Sequence, residues 1–132
     1  MKKLVLALSM IALVFTGFLS CKKSKTDSEP YLTVETTPAN KSNNLNILGP
    51  DFPLKVEITS VMPAKGVKIV VNAMQDGGTT AFFSATSNST APQNDYTITN
   101  TPSGVTCVVT ITVTSLSQSS NTWSGSYRYS KK

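Results

Sequence analysis

The residues of this 132-residue chain that could do chemistry are two cysteines, seven carboxylates, and a scatter of serines, lysines and aromatics. There is no histidine. That removes Ser-His-Asp and Cys-His catalysis, His-ligated zinc and histidine acid–base chemistry. Ser-Lys chemistry is the remaining nucleophile option without histidine. Its candidate lysines, Lys65 and Lys68, flank a turn and have no accompanying serine motif. Gly-rich phosphate loops and metal-spaced cysteine clusters are absent from the sequence, and no cofactor is expected.

Five acids lie beyond residue 30: Glu35, Asp51, Glu57, Asp76 and Asp95. Two carboxylates held together can hydrolyse a glycoside. These five are scattered. Glu57, with Lys55, reads as an ordinary solvent-facing strand residue. Asp76 and Asp95 sit where Asp has a backbone role, at a turn and at the start of a strand. A calcium site between loops would draw on Asp51, Asp76 or Asp95, but the chain lacks a dense Asp/Asn ligand run. No metal site is expected.

Cys107 alternates with valines and has no basic sequence neighbour to lower its pKa. It reads as a small buried hydrophobe rather than a nucleophile or an intermolecular link. The aromatics carry the one binding reading. Trp123, Tyr127 and Tyr129 share one face of a strand by their even spacing. Exposed, they would form a stacking platform for sugars or protein side chains. Turned inward, they are the core of the closing strand. Alternation with Ser124, Ser126 and Arg128 favours the core.

Cys21 stands in a different context. Lys2 and Lys3 precede a mostly apolar run from Leu4 to Leu19, which ends at Ser20-Cys21. A basic start, an apolar middle and a small residue before the cut form the export-signal pattern. The run is short for a membrane span, which needs roughly 20 residues. The alternative is a retained N-terminal membrane helix. Phe18-Leu19-Ser20-Cys21 resembles the lipobox of bacterial lipoproteins, with Phe18 in place of the usual leucine. The resemblance implies that Cys21 becomes the first mature residue and carries lipid. Each buried CH₂ contributes about 0.8 kcal/mol, so more than one acyl chain anchors firmly without a span. In Gram-negative lipoproteins an Asp after the lipidated Cys favours the inner membrane. Lys22 stands there, so the resemblance implies the outer membrane. Surface lipoproteins of Bacteroidota-like bacteria often carry acids after the Cys, whereas this chain reads Lys22-Lys23-Ser24-Lys25. Both the periplasmic face and the cell surface stay open as destinations.

These features divide the chain into a signal peptide over 1–20, a lipidated flexible tether over 21–30, a strand domain over 31–130 and a basic tail over 131–132. The tether has no apolar residue after the Cys. Its lysines could graze anionic headgroups, although Asp27 and Glu29 favour a plainly solvated linker.

The domain reads as all-β, because β-branched residues dominate and helical spacing is nowhere sustained. Seven strands are expected, over 31–37, 54–59, 67–74, 79–86, 96–99, 105–116 and 122–129. The Asn-rich stretch Pro38 to Asn46 and the stretch Ser87 to Asn94 read as polar loops. Leu54, Val56 and Ile58 should be buried, as should Val67, Ile69 and Val71. Val70 falls on the other side, which suggests a strand covered on both faces. Val105, Cys107, Val109, Ile111 and Val113 share one face of the longest strand. Asp76-Gly77-Gly78 marks a tight turn.

Strand order and spacing resemble a seven-stranded antiparallel immunoglobulin-like or fibronectin type III-like β-sandwich. The antibody-type disulfide has no second cysteine, and no tyrosine corner is evident. The arrangement also looks like small Bacteroidota lipoproteins that carry one such domain and have no assigned activity. The net charge of +5 lies outside the strand region, where five bases meet five acids. A nucleic-acid partner is therefore not expected. The leading expectation is a non-catalytic binding or structural module, anchored through Cys21, with an envelope protein or a glycan as partner. Two alternatives are a glycan-acting accessory domain or small enzyme, and an inhibitor that inserts a loop or strand into its target.

Overall fold

A computed structural model describes residues 29–132. The segment expected to be a signal peptide, Cys21 and nearly all of the expected tether lie outside the described residues. Eight strands form, with alternation of buried and exposed side chains clearest in the third, fourth and seventh. They are β1 (Val34–Thr37), β2 (Asn43–Ile47), β3 (Phe52–Ile58), β4 (Val67–Gln75), β5 (Ala81–Ser89), β6 (Gln93–Ile98), β7 (Thr106–Ser115) and β8 (Thr122–Lys131). No helix occurs among the described residues. The strands form a three-stranded sheet in the order β1-β3-β6 and a five-stranded sheet in the order β2-β8-β7-β4-β5. All pairings are antiparallel except β2 with β8, which is parallel.

The apolar faces of both sheets meet in one core. Leu54, Val56 and Ile58 of β3 pack with Val67, Ile69 and Val71 of β4 and with Cys107, Val109, Ile111 and Val113 of β7. Ile98 of β6 and Tyr127 and Tyr129 of β8 complete it. Burying an aliphatic side chain of this size contributes about 1.5–3 kcal/mol. At one margin the Ser87 hydroxyl of β5 lies 2.8 Å from the Tyr96 hydroxyl of β6, a polar link between the two sheets.

The expected strand count of seven is corrected to eight. β2 arises inside the stretch read as an Asn-rich loop. Asn has little intrinsic strand preference, and backbone pairing with the edge of β8 supplies the reason instead. The Lys41 N–H donates to the Ser126 carbonyl, that of Arg128 to Ser42, and that of Lys132 to Ile47. Pro38 follows a cis peptide bond as the chain leaves β1 for the other sheet. The loop expected over Ser87 to Asn94 shrinks to residues 90–92, because β5 pairs with β4 from Met74 out to Val67, which lies opposite Ser89. The two-sided burial expected for β4 is also corrected. Val70 is only half-buried, shielded laterally by its register neighbours Thr86 and Thr112.

The strands run between two ends. A proximal end holds the point at which the chain enters the fold (29–33), the β3–β4 connection (59–66), residues 90–92 and the β7–β8 connection (116–121). Hydrogen bonds join these segments. The Thr33 N–H donates to Ser60 Oγ, the Ile58 N–H to the Pro92 carbonyl, and the Leu116 N–H to the Gly66 carbonyl. A distal end holds residues 48–51, 76–80 and 99–105 with the C-terminal lysines, tied by the Gly104 N–H to the Lys131 carbonyl and the Asp76 N–H to that of Thr106. Gly66 has φ +84°, and a Cβ there would sit 2.5 Å from the Ser89 carbonyl oxygen, so only glycine fits where the β3–β4 connection crosses β5.

Candidate functional site

The three aromatics of β8 part company. Tyr127 and Tyr129 are 3% and 1% exposed. Their rings lie 6.1 Å apart, and Phe52 packs 4.9 Å from Tyr129. Of the two readings, platform or core, Tyr127 and Tyr129 take the core and so cannot stack a ligand, because their shared face turns toward Phe52 of β3. Trp123 is half-buried against the rim of that core, its indole lying over Gly125. The Tyr129 hydroxyl is 2.6 Å from the Thr101 hydroxyl, so the ring's polar tip is satisfied inside the protein. Burial above all, with the nearby Cys107 adding and the Thr101 hydrogen bond opposing, pushes the Tyr129 phenol up to about 12. Burial and then Tyr129 raise Tyr127 further.

Cys107 is fully buried on β7, and burial pushes its thiol upward. A thiol so placed is less nucleophilic at neutral pH, not more. Asp76 and Arg128 form an exposed ion pair, Arg128 Nε donating to Asp76 Oδ2 at 3.2 Å. Asp51 lies in the β2–β3 connection, and Asp95 sits on β6 opposite Lys55 of β3. Glu35 and Glu57 face one another in register on β1 and β3. The structure therefore places Asp51, Asp76 and Asp95 on separate segments. Among the described residues no group of three or more His, Cys, Asp or Glu could hold a metal ion. Lys65 and Lys68 are exposed at the start of β4.

Among the described residues, two concavities are of interest. One, of about 480 Å³, lies on the outer face of the five-stranded sheet, with Thr110, Thr112, Ser124 and Ser126 as its floor and Asn40 and Lys41 as its wall. The other, of about 410 Å³, opens where β1 stops pairing with β3. Register ends at Thr37 opposite Lys55, so Pro53 and Leu54 lack a β1 partner, and Ile47 of β2 bounds the gap. Pro38 and Tyr96 make its lining largely apolar, with Lys55 and Asp95 on the rim. Sequence reasoning misses this groove, because it is made by the departure of a chain that sequence alone reads as a loop.

At the proximal end one buried side chain links several segments. Asn121, 6% exposed, accepts the Leu32 N–H at Oδ1 (3.0 Å) and donates from Nδ2 to Glu29 Oε2 (2.8 Å) and the Pro30 carbonyl (2.9 Å). The buried Ser115 hydroxyl accepts the N–H groups of Ser117 and Gln118 and so shapes the turn that presents Asn121. An Asn in a turn gives no sequence signal that it will clasp a segment some ninety residues away. A scan against protein-family models, a search of curated proteins and a search of solved structures gave no match to this chain.

Proposed function

We propose that this chain is a non-catalytic, lipid-anchored envelope protein of the outer membrane. Cys21 carries the lipid, and the β-domain acts as a binding or structural module for an envelope protein or a glycan. The observation that carries the anchoring is the basic start, apolar run and Ser20-Cys21 of the sequence, and the clasp of Asn121 on Glu29, Pro30 and Leu32 adds its place on the fold. The clasp fixes where the chain leaves the fold toward Cys21. The loops over 48–51, 76–80 and 99–105 then face away from the anchor, free to meet a partner.

The strand order supports an immunoglobulin-like reading of the domain. β3 and β6 lie in one sheet and β4, β7 and β8 in the other, with β5 added beside β4. The first two strands divide between the sheets, β1 on one and β2 on the other. Three of the side chains with chemical potential have structural employment, which supports a binding role over a catalytic one. Asp76 holds Arg128, Asn121 holds the proximal segment, and Cys107 fills the core.

The test is Cys21→Ala in the full chain, expressed in a Gram-negative host with a labelled fatty acid. Loss of label and release from the membrane fraction are expected. Label persisting on the variant would overturn the anchoring.

A further inference from the structure

Four large apolar side chains are exposed among the described residues: Tyr31 at 86%, Leu48 at 75%, Val61 at 67% and Leu116 at 39%. Three of them, Tyr31, Val61 and Leu116, share the proximal end. The hydrogen-bond pattern holds their loops together. The Leu32 N–H on Asn121 and the Thr33 N–H on Ser60 set Tyr31 between the β7–β8 and β3–β4 connections, and Ser60 precedes Val61. The Lys65 N–H on Ser117 Oγ (2.9 Å) and the Leu116 N–H on the Gly66 carbonyl (2.9 Å) lay those two connections side by side. Tyr31 and Val61 have most of their surface in solvent, and Leu116, mostly packed, adds its exposed edge beside them.

We infer that this proximal end is a bilayer-contact surface, with Tyr31, Val61 and Leu116 seated among the lipid headgroups and Lys65 beside them meeting anionic phosphates. The inference rests on the lipidation of Cys21 proposed above and adds a defined orientation to it. The length of chain outside the structure chooses the occupant. Cys21 lies nine residues before Pro30, and such a segment spans at most about 30 Å. It joins the fold at Glu29, on the face that carries the three apolar side chains. The bilayer is thus the one apolar phase held permanently within reach of that face. A Tyr with an apolar ring and a polar tip, two aliphatic tips and a lysine match the interfacial layer, where apolar groups meet anionic headgroups.

The experiment uses the full lipidated chain in vesicles of phosphatidylethanolamine and phosphatidylglycerol that contain a shallow spin-labelled quencher lipid. An environment-sensitive dye is placed at Val61→Cys or, at the distal end, at Thr79→Cys, and the mass of the N-terminal peptide reports the lipid on Cys21. Quenching at 61 about twofold or more above that at 79 is expected. Tyr31→Ser with Leu116→Ser should cut the quenching at 61 while lipid mass and circular dichroism stay unchanged. Equal quenching at 61 and 79 on a lipidated chain would overturn the contact while leaving the anchor intact. So would quenching at 61 that ignores the two serine substitutions. Dye self-quenching at 61 without lipid quenching would assign the patch to a second copy and overturn the inference. A chain without lipid on Cys21 would overturn the anchoring and this orientation together, and the mass alone distinguishes that failure.

Discussion

The Asn121 side-chain oxygen accepts the backbone N–H of Leu32 at 3.0 Å, a bond between residues 89 positions apart. The same amide donates to Glu29 and Pro30. One side chain thereby pins the start of the fold to the turn between its last two strands. Asn121→Ala removes all three bonds and leaves the Leu32 N–H without its buried partner. The expected loss is about 1–3 kcal/mol, read as a lower urea midpoint with unchanged slope. Asn121→Asp should also destabilise, because it exchanges a donor for an acceptor facing Glu29. Equal stability of Asn121→Ala and the parent would refute the clasp.

The Tyr129–Thr101 hydroxyl pair is buried at both members. Tyr129→Phe strands the Thr101 hydroxyl and should cost about 1–3 kcal/mol. Adding Thr101→Val removes the stranded group, so the double variant should recover part of the loss. Strictly additive losses in urea unfolding would show that the two hydroxyls do not interact.

Stability should fall in alkali. Tyr129 is held up to about 12 and Tyr127 is raised further, in both cases first by burial. The unfolded chain releases these protons near pH 10, while the folded chain keeps them. Above that point the unfolded state binds fewer protons, so unfolding becomes favoured as pH rises. The stabilisation is therefore complete below about pH 10 and is lost as pH rises from there through the folded-state values, about 12 for Tyr129 and higher for Tyr127. Melting temperatures across this window, with tyrosinate absorbance followed in parallel, test it. Tyrosinate formation by these two residues ahead of unfolding would contradict the burial.

Gly125 makes room for an aromatic. A Cβ there would collide with the Trp123 indole and lie 2.8 Å from Asn40 Oδ1, the acceptor of the Ser126 N–H. Gly125→Ala should displace both, costing about 1–3 kcal/mol and shifting Trp123 emission to the red. Parent-like emission and stability would show that the indole does not cover that position.

Much of the core is legible in the alternation of side chains. Leu54, Val56 and Ile58, and Cys107 through Val113, announce their buried face because a strand turns successive residues to opposite sides. β2 is not legible, since its Asn-rich residues are recruited by the open edge of β8 rather than by their own preference. The aromatics of β8 are legible as a shared face but not as core or surface. That choice depends on whether a second sheet covers them, and β3 supplies the cover through Phe52.

By itself the sequence determines the period of the strands, the absence of histidine chemistry, and the basic-apolar-Ser-Cys pattern of the first 21 residues. These are properties of residue type and near neighbours. Only the tertiary structure decides which strands become edges, that Tyr127 and Tyr129 lie inside, and that Tyr31, Val61 and Leu116 come together at one end. Each of these is set by contacts between segments tens of residues apart, which local spacing does not encode.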